Sequence, residues 1–83
     1  MYLTPERIIL VRSSVIVIGE VKDADSIFRI TVDGVFRGYI QLLNGEYQMM
    51  AGCKMSRHKF NNIVEAMKMG IDKWNSLHDY IYD

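Results

Sequence analysis

Residues 49–60, Met-Met-Ala-Gly-Cys-Lys-Met-Ser-Arg-His-Lys-Phe, hold the chain's only cysteine, one of its two histidines and three of its six methionines. Thiolate, imidazole and thioether are the ligand types of a copper electron-transfer site, which needs a second histidine beside the cysteine. The other histidine, His78, follows twenty residues on, roughly 30 Å away along a straight helix. Structural zinc needs four ligands in a closed set, and the segment does not supply them. Cys53 and His58 could also form a thiolate nucleophile, because a helix N-terminus and an adjacent base lower a thiol's pKa. Yet no third residue is marked to orient the histidine, and no glycine-rich oxyanion turn flanks the cysteine. Free cysteine and methionine otherwise pack as small, adaptable hydrophobes. The segment therefore reads as the junction where a sheet hands over to a helix, with no metal, cofactor or catalytic residue expected.

Two other groups of residues invite a ligand. Lys54, Arg57, His58 and Lys59 follow one another with no acid until Glu65. Cations there oppose the helix dipole, whereas free backbone N–H groups and Ser56 suit an anion or phosphate. A solvated turn is the plainer reading. The second group is Arg29, Arg37 and Tyr39, with Gln41, Gln48 and Met50, which strand alternation gathers on the outer face of a sheet. Arginine, tyrosine and amides on an open sheet are what single-stranded nucleic acid binders use for phosphate contact and base stacking. Glu20 on a neighbouring strand could instead neutralise the arginines, and Ile27, Tyr39 and Met50 also fit a protein-binding patch.

The elements that must position these residues are legible from periodicity. Residues 7–12 and 15–22 are rich in β-branched side chains and read as strands. Three further strand segments, 26–32, 35–43 and 46–52, are separated by Asp33-Gly34 and Asn44-Gly45, dipeptides that tolerate positive φ and favour hairpins. A two-residue loop at Asn44-Gly45 pairs Leu43 with Glu46 and sets Phe36, Gly38, Ile40 and Leu42 on one apolar face. Tyr47, Met49, Ala51 and Cys53 share that face. The same loop at Asp33-Gly34 would turn Phe28 and Ile30 away from it. A three-residue loop with Gly34 in a bulge restores the pattern and pairs Thr31 with Val35. It also sets Arg29 opposite Arg37, a like-charge pair that needs relief.

From Ser56, a plausible N-cap, the period becomes helical. Phe60, Ile63, Met67, Ile71, Trp74 and Ile81 fall on one stripe. The stripe continues in phase through Gly70, so a single helix over about 57–80 is expected, with a break and fold-back at Gly70 as the alternative. Such a helix runs roughly 36 Å, longer than five strands at about 4.8 Å spacing are wide. Its last turns would then overhang the sheet, exposing Ile71, Trp74, Leu77, Tyr80 and Ile81 to a second copy of the chain.

The 83 residues suffice for one domain, sheet over residues 6–53 and helix after it, in an α+β fold with a curved antiparallel sheet of four to five strands. Ten Lys and Arg balance ten Asp and Glu, which argues against a dedicated duplex-DNA binder. One cysteine excludes an intramolecular disulfide framework. No apolar run exceeds Val15-Ile16-Val17-Ile18, far short of a bilayer span, and residues 1–7 lack the order of a signal peptide. The expectation is a cytoplasmic, non-enzymatic interaction module, homodimeric through its C-terminal helix, with no membrane partner. A single-stranded nucleic acid binder comes second. A cysteine-dependent enzyme is a distant third.

Overall fold

Alternation builds the sheet. Ile9 and Val11, Ile16 and Ile18, and Ile30 and Val32 stand two apart on successive strands, and all six are buried together with Ile40. The computed structural model describes residues 6–21 and 26–78. They form β1 (Glu6–Val11), β2 (Ser14–Glu20), β3 (Ile27–Val32), β4 (Val35–Leu43), β5 (Glu46–Met49), α1 (Arg57–Met69) and α2 (Ile71–His78). The strands make one antiparallel sheet in chain order, β1 and β5 at its edges. Phe60, Ile63 and Ala66 of α1 close over the isoleucine face, with Phe28, Tyr47, Met49 and Met55 packed around them. Each fully buried isoleucine contributes about 1.5–3 kcal/mol of burial free energy. The α+β architecture and the antiparallel sheet are as expected. No helix among the described residues is long and apolar enough to cross a membrane.

Both glycine hairpins turn in two residues. Asn44 and Gly45 have φ of 53° and 82°, and Leu43 pairs with Glu46 as the pattern requires. Asp33 and Gly34, at 52° and 84°, make the same kind of turn, so Val32 pairs with Val35 rather than Thr31. The extra residue that alternation demands lies further along, where the register shifts between Ile30↔Gly38 and Thr31↔Phe36 and leaves Arg37 unpaired. Gly38 shows why the bulge sits there. Its φ is 141°, and a Cβ on it would lie 2.6 Å from Cα of Cys53, so the chain leaving β5 crosses over a position that must have no side chain. Phe36 consequently leaves the core face and is 45% exposed.

The expected single helix is interrupted. Ser56 caps α1 with its Oγ, which accepts from the Lys59 N–H at 3.1 Å. Gly70 ends α1 at φ 100°, its N–H donating to the Ala66 carbonyl, a conformation that an L side chain adopts only with strain. The chain re-enters a helix at Ile71 in a new direction, and α2 packs on β1 and α1. Ile71 and Trp74 are therefore buried within the chain, and the overhang expected to present them to a second copy does not form. Leu77 is 53% exposed, while Tyr80 and Ile81 lie outside the described residues.

Placing α2 against β1 also covers the open edge of the sheet. Val11 and Ser14 flank a two-residue turn, so Val11, Ile9 and Arg7 bond to β2 while Leu10 and Ile8 turn their backbone outward. Asn75 Oδ1 accepts from the Leu10 N–H at 3.2 Å, and its Nδ2 donates to the Ile8 carbonyl at 2.6 Å. Trp74 Nε1 donates to the Leu10 carbonyl at 3.1 Å. One carboxamide thus stands in for a peptide unit of a sixth strand, a way of blunting an edge that would otherwise pair with another chain.

Candidate binding surface

The soft-ligand segment resolves into packing. Met49 and Met55 lie against the core, and His58 is exposed at the start of α1. Cys53 is only partly buried, wedged against Gly38, and its N–H donates to the Met50 carbonyl at 3.1 Å. Burial raises its thiol above the ordinary pKa, the opposite of what an activated nucleophile needs. Among the described residues no group of three or more His, Cys, Asp and Glu is arranged to hold a metal ion.

The face of the sheet opposite the helices carries a different chemistry. The register lines up Ile8, Val17, Thr31 and Phe36 in one row across four strands. The next row runs Glu6, Gly19, Arg29 and Tyr39. Ile8, Phe36 and Tyr39 are exposed, and Val17 and Thr31 half-buried. Arg29 therefore faces Tyr39, not Arg37 as the three-residue loop implied, and the like-charge clash disappears. Its guanidinium sits 4.8 Å from the centroid of the Phe36 ring, within cation–π range. Phe36 in turn meets Tyr39 edge-on, centroids 5.3 Å apart and planes at 65°, a favoured aromatic geometry. Phe36 is thus the functional candidate that strand alternation alone assigned to the core. Gly38, a glycine inside a strand, was the available signal for the bulge that moves it.

Arg37 belongs to a second cluster. In an antiparallel meander the β1–β2 turn, the β3–β4 turn and the chain leaving β5 reach the same end of the sheet. Hydrogen bonds tie that end together: Lys59 Nζ donates to Ser14 Oγ at 3.2 Å, the Lys54 N–H donates to the Arg37 carbonyl at 2.6 Å, and the Asp33 N–H donates to the Val15 carbonyl at 2.8 Å. Arg37, Lys54, Ser56 and Lys59 line one cleft with Val32 and Met55. Arg12 stands in the first turn, and Arg57 lies over the Phe60 ring at 5.6 Å. Half of the chain's ten cations thus gather where Asp33 is the one carboxylate among the described residues, and its Oδ1 accepts from the Val15 N–H at 2.8 Å. At the other end acids and bases intermingle, as with Arg7 and Glu20 in one pocket. The zero net charge conceals a basic pole. Of the residues expected to bind an anion or nucleic acid, Arg29 and Tyr39 share the open face, while Arg37, Lys54, Ser56, Arg57 and Lys59 gather at the pole.

No known protein family, curated protein or solved structure matches this chain.

Proposed function

We propose that this protein is a small binding module without catalytic chemistry of its own, and that the open face of its sheet is the docking surface. The observation that carries this reading is the contiguous display of Ile8, Phe36 and Tyr39 around half-buried Val17 and Thr31. Leaving such side chains in water forgoes burial free energy, and contiguous exposed apolar patches on small soluble domains mark interaction sites. The raised thiol of Cys53 and its position against Gly38 speak for a packing role. Self-association through the C-terminal helix loses support, because Ile71 and Trp74 are spent inside the chain.

A photoreactive phenylalanine analogue at position 39, compared with one at the exposed helix position Glu65, tests the surface directly in cells making the protein. Adducts at position 39 and none at 65 are the expected result. Equal labelling at both positions, or none at either, would remove the open face as the binding site.

A further inference from the structure

Resting on that reading, we infer that the ligand of the open face is single-stranded nucleic acid, its bases on Phe36 and Tyr39 and its phosphates on Arg29 and the adjoining basic pole. Aromatic rings serve any base, because every base presents a π-face, and an arginine among them both stacks and meets phosphate. Here the three groups already touch: the Arg29 guanidinium lies over Phe36, and Phe36 abuts Tyr39.

The occupant is chosen by the charge beside the two rings, Arg29 on the central strand, while the carboxylates that share the face, Glu6 and Glu46, stand on the edge strands β1 and β5. An apolar protein partner would leave Arg29 desolvated at the centre of the contact, whereas a polyanion makes use of it. The bulge supplies the second half of the argument. Phe36 and Arg37 are consecutive, yet the register shift points Phe36 to the open face and Arg37 into the cleft with Lys54 and Lys59. The cleft opens on the helix side of the sheet, beside Val32 and Met55, so a strand with bases on Phe36 and Tyr39 reaches its three cations by passing round the adjoining end of the sheet. Duplex DNA is a poor match, since the face presents neither a helix nor a two-stranded ribbon to enter a groove.

Fluorescence anisotropy with labelled oligothymidine and oligouridine of about 15 nucleotides, a length matched to the site sizes of small single-strand binders, tests the proposal. A duplex of the same length is the control. Wild type should bind the single strands, and raising salt from about 50 to 200 mM should weaken binding at least tenfold, as release of counterions from three or so phosphates requires. Phe36→Ala with Tyr39→Ala should cost tenfold or more in affinity and leave the salt slope unchanged. Arg37→Glu with Lys54→Glu should weaken binding and flatten the slope. Circular dichroism establishes that each variant is folded. Absence of binding at low salt, equal binding of the duplex, or indifference to the aromatic substitutions would each overturn the inference. A photo-adduct at position 39 that resists nuclease but yields to protease would do so too, while leaving the open face standing as a protein-docking site.

Discussion

Gly38 answers to two demands at once, a backbone at φ 141° and a neighbouring chain where its Cβ would lie, 2.6 Å from Cα and 2.9 Å from Sγ of Cys53. Gly45, at φ 82°, meets only the first, with nothing within 4 Å of its Cβ position. Gly45→Ala should therefore cost about 1–2 kcal/mol of backbone strain. Gly38→Ala should cost roughly twice that or more, since the clash adds overpacking that no rotamer relieves. Urea titration of the two variants separates strain from contact. Cys53 carries a second prediction. Because burial raises its pKa, the thiol stays protonated at neutral pH, and iodoacetamide should react more slowly with the folded protein than with the urea-unfolded chain. The sign follows for stability: the folded state holds this proton more tightly, so its small contribution is complete below the unfolded pKa and fades as pH rises through the folded one. Strand alternation set Cys53 on the core face of the last strand; β5 instead ends at Met49, and Cys53 lies beyond it, only partly buried against the glycine that lets it in.

At the scale of elements, α2 is short for a helix that must stand in water alone, and it persists because Trp74 and Ile71 are buried and Asn75 binds the edge of β1. Asn75→Ala removes both edge bonds. It should lower stability by about 1–2 kcal/mol, and it should raise self-association in sedimentation, since an uncapped edge strand is a template for pairing. Unchanged stability and a strictly monomeric variant would show that the carboxamide does not guard the edge. The apolar stripe through Gly70 was visible in the sequence, and Phe60, Ile63, Ile71 and Trp74 do pack inward. The break was legible only as the alternative at Gly70, because a stripe that stays in phase is equally satisfied by one straight helix or by two joined at a glycine. What decides is whether the second half gains more by turning onto β1 than by continuing past the sheet.

For the whole molecule, the small core leaves little reserve. A chain of this length buries about 60–65% of its unfolded surface, so losing Trp74, 5% exposed, to alanine at about 3–5 kcal/mol should leave the protein largely unfolded at room temperature by circular dichroism. Charge behaves differently at this scale than in composition. Equal numbers of acids and bases give no reason in composition for binding to a cation exchanger near neutral pH, yet the pole of Arg12, Arg37, Lys54, Arg57 and Lys59 should retain the protein on one, phosphocellulose, at low salt. Arg37→Glu with Lys54→Glu should abolish that retention, and elution of wild type in the void volume would show the pole to be too diffuse to act as one surface.

Strands, hairpins and the inward stripe were determined by the sequence alone, because alternation, turn-forming dipeptides and helical spacing are relations between residues a few positions apart. Parity even required one extra residue between Thr31 and Ile40, and it could not say where, since a bulge in the turn and a bulge at Arg37 return Ile40 to the same face. Tertiary structure decided that point through the crossing of Cys53 over Gly38, and with it the move of Phe36 to the open face and of Arg37 to the cleft. It also decided the gathering of cations from distant segments at one end, and the closing of the β1 edge by Asn75, 65 residues from Leu10. Each of these is a contact between parts of the chain whose separation in sequence carries no local signal, so only the packed molecule settles which of several locally equivalent arrangements is adopted.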